Sequence, residues 1–293
     1  MIERPATRAD LPALVQLWAR FELATRGAVE VDEAELRQDW DAAGFAPETS
    51  TLVLEDAGAL VGYAVLLDDR GSADSVVDPG RAGEALEEGL LGWLESSGRP
   101  LHHYWGADDA ASRARFTRRG WRPARTYWRM RRELDAPTPE PVWPAGVQVR
   151  PFDLERDAHA AHRIVEDAFL DVGDDRPPKD FATWAAGMLG PERFDAELYL
   201  VAEQQGEAVA VCLAQPMPGF GHVRQLAVQR EHRGSGLGLA LLHESFRRHA
   251  ARGLPATVLG VDAANATGAT RLYERAGMRV VEEFTRWDLP VRP

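Results

Sequence analysis

The sequence predicts a mixed α/β (α+β) protein built from two similar halves, each a mostly antiparallel sheet flanked by helices. Three observations predict it. Segments of helical and strand periodicity alternate along the 293 residues. A proline-rich stretch interrupts them near the middle. The segments on either side repeat one another in kind and order.

The interruption is Asp135-Ala136-Pro137-Thr138-Pro139-Glu140-Pro141-Val142-Trp143-Pro144. Four prolines in ten residues propagate neither a helix nor a central strand and favour an extended spacer. The expected division is therefore a first domain over 1–136, a linker over 137–146 and a second domain over 147–293. The first half opens Ile2-Glu3-Arg4-Pro5 and the second Val149-Arg150-Pro151, each followed by an amphipathic helix, Leu11–Leu23 and His159–Leu170. Near their ends, Phe116-Thr117-Arg118-Arg119-Gly120-Trp121 parallels Tyr273-Glu274-Arg275-Ala276-Gly277-Met278. At the same offset Asp108 falls opposite Asn265. Internal duplication is the economical explanation.

In the second half, Val147–Pro151 reads as a strand, followed by a helix near 157–170. A second helix is expected near 178–189, with Pro177-Pro178 at its start. Leu198–Glu203 and Ala208–Gln215 form a hairpin around Gln204-Gln205-Gly206-Glu207. Val223–Val228 is a strand and Leu237–Arg252 a long helix. Ala256–Val261 is a buried strand, Thr267–Ala276 a helix stopped by Gly277, and Arg279–Leu289 a final strand.

Composition excludes several classes. Residues 1–136 carry 24 acids against 17 bases and the remainder 22 against 17, so neither half has the basic excess of a general nucleic-acid binder. No apolar run is long enough to cross a bilayer, and the N-terminus lacks a secretory pattern; a cytoplasmic location is expected. Cys212, the one cysteine, lies in a buried strand pattern and reads as a core thiol. The eight histidines show no metal-ligand spacing, so no metal is expected. The oligomeric state, monomer or homodimer, has no signal.

The most informative segment runs from Val223 to Leu242: a strand, then Arg233-Gly234-Ser235-Gly236-Leu237-Gly238, then a helix. Glycines at alternate positions let the backbone take positive φ and come close to a ligand. The first amides of a helix have no internal partner and face an anion favourably, so a diphosphate suits this loop. A Walker loop would need Gly-Lys-Ser/Thr, which is absent. G-x-G-x-x-G fails at Leu239. A ligand-free turn is the plain alternative.

This loop resembles the R/Q-x-x-G-x-G/A diphosphate loop of the GNAT superfamily of acetyltransferases. A second segment, Leu259 to Met278, looks like that family's strand, asparagine, Leu-Tyr helix and closing Gly-Phe. It departs in two ways: Asn265 and Tyr273 stand one residue further apart than usual, and Met278 replaces Phe. The resemblance implies tandem GNAT-type domains and an N-acetyltransferase using acetyl-CoA as co-substrate, with a small-molecule or peptide amine as acceptor. By the same resemblance, Leu226, Ala227 and Val228 pair with the pantetheine arm and hold the thioester oxygen. Arg233, Gly234, Ser235, Gly236, Leu237 and Gly238 take the diphosphate, Asn265 bonds the cofactor, and Tyr273 is the general acid. His222 and Glu283 are candidates for the base. A non-catalytic acyl-CoA sensor is the competing class.

In the first half the corresponding loop is Val76-Val77-Asp78-Pro79-Gly80-Arg81-Ala82-Gly83-Glu84-Ala85-Leu86. Its glycine pattern is shortened, and Glu84 would repel a diphosphate. Phe116 stands where Tyr273 does and has no proton to give. The first domain is expected to keep the fold without transferase activity.

Overall fold

The computed structural model describes every residue except 28, 32, 43, 69, 82, 107, 108, 173–177, 191–193, 266 and 291–293; the side chains of Glu35 and Glu84 are also left aside. Asp108, Pro177, Ala82 and the Glu84 side chain, all used in the sequence reading, lie outside the described residues.

The first half forms β1 (Ile2–Arg4), α1 (Leu11–Arg26), α2 (Glu33–Trp40), α3 (Pro47–Ser50), β2 (Thr51–Asp56), β3 (Ala59–Leu66), β4 (Ala73–Val77), α4 (Glu84–Ser96), β5 (Leu101–Gly106), α5 (Ala110–Arg118) and β6 (Arg122–Glu133). The second forms β7 (Val147–Pro151), α6 (Leu154–Leu170), α7 (Phe181–Met188), β8 (Tyr199–Gln204), β9 (Glu207–Met217), β10 (Phe220–Val228), α8 (Leu237–Ala251), β11 (Ala256–Asp262), α9 (Ala269–Arg275) and β12 (Arg279–Leu289). In the second half this is the order the sequence predicts, with ends shifted by a few residues. No described helix is long and apolar enough to cross a membrane.

The chain divides into two compact units, Met1–Arg125 with Phe284–Pro293, and Thr126–Glu283. The division therefore does not fall at the proline-rich segment, which lies within the second unit. The physical reason is an exchange of strands. Residues Thr126–Glu133 of β6 precede the prolines, yet Tyr127–Glu133 pair antiparallel with β11, from Asp262↔Tyr127 to Ala256↔Glu133. Residues Phe284–Leu289 of β12 pair antiparallel with β5, from Phe284↔Gly106 to Leu289↔Leu101, and belong to the first unit. Trp143 of the proline-rich segment packs against the core of the second unit.

Each unit buries both faces of its sheet. In the second, Leu237, Leu241 and Phe246 of α8 pack with Leu200, Cys212 and Val223 on one face. Ile164 and Val165 of α6 and Trp184 of α7 pack with Tyr199, Val211 and Ala227 on the other. The first unit uses α1 and α2 on one face and α4 on the other. The duplication is visible in its ion pairs. Arg4 pairs with Asp10 at 2.8 Å and Glu55 at 3.1 Å. Arg150 pairs with Asp157 at 2.6 Å and Glu203 at 2.5 Å. The hydrogen bond from Arg4 pulls the Asp10 carboxyl down to about 2. The helix ends match as well. Trp121 N donates to Phe116 O and Met278 N to Tyr273 O, both at 3.0 Å, across left-handed Gly120 and Gly277.

One close contact fixes α8 on the sheet of the second unit. Gly221 of β10 faces the His249 ring, which a Cβ would approach to 2.3 Å. His249 is wholly buried, with Nδ1 2.8 Å from Thr257 Oγ1, and Thr257 is the β11 partner of Gly221. Gly221→Ala should cost roughly 3 kcal/mol by overpacking. A second change, His249→Ala, should recover part of the loss; thermal unfolding of the single and double variants checks this.

Burial pulls the His249 imidazole down to about 4, and that of His103 in the first unit likewise. Between pH 6.5 and 4 the unfolded chain binds these two protons and the folded chain does not, so stability falls as pH falls through that window. Asp74 opposes this. Its carboxyl is hemmed in by protein and pushed up to about 7, although 42 % of its side chain is exposed. Its folded form gains a proton below pH 7 that the unfolded form does not yet hold. Asp74→Asn should therefore raise Tm at pH 8 and steepen the acid loss between pH 6 and 4, read from Tm against pH.

Candidate active site in the second unit

The site begins with a strand that leaves its neighbour. β10 and β11 run parallel, yet they pair only at Gly221↔Thr257 and His222↔Val258. A bulge between Val223 and Gln225 bends β10 at that point. Beyond it, β10 stays paired with β9 as far as Val228↔Ala210, and Gln229 N donates to Val209 O at 3.0 Å. Antiparallel pairing alternates, so Gln225, Ala227 and Gln229 turn their amides and carbonyls to β9. Leu226 and Val228 turn theirs into the gap left by β11. The Val228 carbonyl, consistent with this, accepts from Arg233 Nε at 2.9 Å.

The gap opens into a cavity of about 1030 Å³, lined by Leu226, Ala227 and Val228 on one strand and Gly260, Val261 and Asp262 on the other. Arg233, Gly234, Gly236, Leu237, Gly238, Asn265 and Tyr273 also line it. Every residue that the sequence reading proposed for cofactor binding or as the general acid is thus brought together except Ser235. Its hydroxyl turns back to donate to His232 O at 2.7 Å.

The loop works through two left-handed glycines, Gly234 at φ +77° and Gly236 at φ +89°. Asp153 and Asp180 cap α6 and α7 through their side chains, whereas the cap of α8 is Gly236, with no side chain to offer. The first internal bond of α8 is Ala240 N to Gly236 O, 3.0 Å. The amides of Leu237, Gly238 and Leu239 lack helical partners and lie at the cavity wall. At Gly238 a Cβ would stand 3.2 Å from Leu272 Cδ2, so this glycine lets α9 lie close to α8. Arg233 is not free in the loop. It pairs with Asp171 at 2.7 Å, Arg230 pairs with the same carboxylate, and the two guanidinium groups hold Asp171 below the usual carboxylate range.

Tyr273 is 9 % exposed and sits in the core cluster with Cys212 while facing the cavity. Burial, with the Cys212 thiol beside it, raises the phenol well above its ordinary value of 10.0, so it stays protonated. Burial pushes Cys212 itself up to about 12, which leaves it a packed thiol. Asn265 shapes its own turn: its Oδ1 accepts from Thr267 N at 2.8 Å, two residues before α9 begins.

Neither candidate base lines the cavity. Glu283 Oε2 accepts from Trp128 Nε1 at 2.8 Å. His222 lies at the paired end of β10, before the gap opens. Sequence reasoning missed Tyr127, Asp262 and the α6 residues Ala168 and Phe169 as wall residues. Tyr127 stands before the prolines, and only its pairing with Asp262 brings it to the site. Among the described residues, no group of three or more His, Cys, Asp or Glu is placed to hold a metal ion.

The matching turn of the first unit differs. Gly83 caps α4 in an extended conformation, φ −172°, and Asp78 Oδ1 accepts from Gly80 N at 2.9 Å within the loop. Phe116 is buried against Trp287, ring centroids 5.3 Å apart and nearly parallel.

Residues 158–278 match the acetyltransferase (GNAT) family. The mycothiol acetyltransferase of Thermobispora bispora is 34 % identical over 82 % of this chain and 81 % of its own length. A GCN5-related N-acetyltransferase from Sphaerobacter thermophilus superposes with a TM-score of 0.82 at 31 % identity, covering 100 % of this chain and 96 % of that one. A tandem GNAT protein from the clavulanic acid biosynthesis pathway shares the fold over 100 % of this chain and 99 % of its own, with a TM-score of 0.74 at 17 % identity. Fold and relatives together define the class, an N-acetyltransferase. The chain belongs to the GNAT acetyltransferase family.

Proposed function

We propose that the second unit transfers the acetyl group of acetyl-CoA to a primary amine, and that the first unit takes no chemical part. One observation carries the reading. The outward amides of Leu226 and Val228 lead to the uncapped front of α8 along one continuous cavity, with a protonated phenol on its wall. An extended amide-bearing arm fits the strand gap by β-pairing, and a linked diphosphate fits the helix front.

The amine nitrogen attacks the thioester carbon, and the carbonyl electrons move to oxygen, where the Val228 amide takes up the charge. As the carbon–sulfur bond breaks, its electron pair stays on sulfur, and the thiolate takes the proton of Tyr273. The attacking nitrogen loses its extra proton to water, and the phenolate recovers one from the same source. In water a phenol is a weaker acid than a thiol by about 2 kcal/mol. The dry wall that raises Tyr273 raises the basicity of the departing thiolate as well, so transfer follows the hydrogen bond between them. The extended Gly83 and the buried Phe116 of the first unit support leaving it out of the chemistry.

For the acceptor we infer the cysteinyl amine of the mycothiol precursor, because relatives at 30–34 % identity that align over most of this chain are named mycothiol acetyltransferase. A cytoplasmic location fits the supply of acetyl-CoA. The test is incubation with acetyl-CoA and that precursor beside a panel of other small and peptide amines. CoA is quantified by chromatography, because this acceptor carries its own thiol. Turnover of another amine alone removes the acceptor reading. Tight acetyl-CoA binding with no CoA from any amine favours an acyl-CoA sensor and removes the enzyme reading.

Two variants sharpen it. Gly236→Glu strains a left-handed position and sets a negative charge at the helix front, so acetyl-CoA binding should be lost by calorimetry. Tyr273→Phe should lower kcat roughly tenfold or more while sparing the KM of acetyl-CoA. Because burial raises this phenol, any decline in kcat below pH 10 should persist in Tyr273→Phe. Full activity of Tyr273→Phe excludes the general-acid role.

A further inference from the structure

Arg132 is a half-buried cation without an anion. It lies on β6 opposite Thr257 of β11, and among the described residues no carboxylate pairs with it. Its guanidinium carbon stands 5.1 Å from the ring centre of Phe246, which is wholly buried. Nη1 donates to the carbonyl of Ala276, the residue that ends α9. Gly277 makes room for this: a Cβ there would meet Arg132 Nη1 at 2.9 Å. Burial, with no acid to oppose it, lowers the guanidinium below its ordinary value, yet an arginine stays charged. That charge therefore faces a helix end and an aromatic ring instead of a carboxylate.

The helix it ends is short. α9 has seven residues, and Gly268 at its front offers no side-chain cap. So few residues hold a helix poorly by internal bonds alone. The carbonyls of a last turn lack helical partners and favour a cation. Tyr273 stands in that last turn and faces the cavity. We infer that Arg132 is a positioning residue for Tyr273: by closing the end of α9 it fixes the height and rotation of the phenol at the strand gap. This rests on the general-acid role proposed above. The first unit gives the contrast. There the exchanged strand β12 meets the matching helix with Trp287, stacked on Phe116, and no proton has to be placed. A frayed last turn would carry the Tyr273 hydroxyl away from the departing sulfur and leave the diphosphate loop on α8 in place. A packing role alone predicts something else: the same loss of rate whether or not a phenol is present.

The experiment is a double-mutant cycle of Arg132→Met and Tyr273→Phe in the full chain. Steady-state kinetics use acetyl-CoA and the cysteinyl precursor, or the best amine of the panel. Arg132→Met should lower kcat roughly tenfold, the scale of one lost charge-assisted hydrogen bond, while the KM of acetyl-CoA stays within about threefold. In the Tyr273→Phe background the same substitution should change kcat by less than about twofold, because no phenol is left to misplace. Calorimetric acetyl-CoA affinity certifies the fold of each variant. If Arg132→Met is insoluble, Arg132→Gln, which keeps an N–H donor without the charge, takes its place in the cycle. An unchanged kcat in the Arg132 variant, or equal losses in both backgrounds, overturns this inference alone. Full activity of Tyr273→Phe defeats the general-acid role, and absence of turnover by the unaltered protein with every amine defeats the proposed acetyl transfer; either takes this inference with it.

Discussion

The architecture of the second unit depends on a parallel strand pair that parts after two residues. In an uninterrupted sheet, the amides of Leu226 and Val228 would bond to β11 and have nothing to give a ligand. The bulge at Arg224 turns β10 away, and the backbone groups of Leu226 and Val228 face the gap with no strand partner there. Everything else is arranged around this opening. Gly221 lets α8 press on the paired end of the strand, and Gly236 leaves the front of that helix uncapped where the strand runs out. Tyr273 reaches the opening from α9, which Gly238 allows to come close.

Much of this was legible in the residues. Helical and strand periods report burial on one face, and burial decides the elements, so β7 to β12 appear in the predicted order. The glycine loop was legible because left-handed φ at Gly234 and Gly236 is a demand few other residues meet. The division into units was not. Prolines show where the chain cannot be a central strand, but they say nothing about which sheet the flanking strands join. Tyr127 and Asp262 were hidden for the same reason: their meeting is a long-range pairing between strands 135 residues apart in sequence, to within the register of β6 and β11. The ion pair of Arg233 with Asp171 was also invisible, since it joins a loop to the end of a distant helix.

The two copies show what duplication preserves. The Arg4 and Arg150 networks tie the first strand to the following helix in each unit, and the caps at Gly120 and Gly277 end equivalent helices. These features serve folding. What differs is the chemistry: a left-handed glycine against an extended one at the helix front, and a phenol facing a cavity against a phenyl ring stacked on tryptophan.

The exchanged strand β12 has a bearing on how the chain is born. β5 ends at Gly106, but its partner Phe284–Leu289 emerges from the ribosome nearly 180 residues later. At 5–20 residues per second this is a wait of roughly ten to thirty-five seconds. Throughout it, β5 offers a bare edge and the pocket for Trp287 and Leu289 stands unfilled. The unit begun first is completed last, by the strand that closes it.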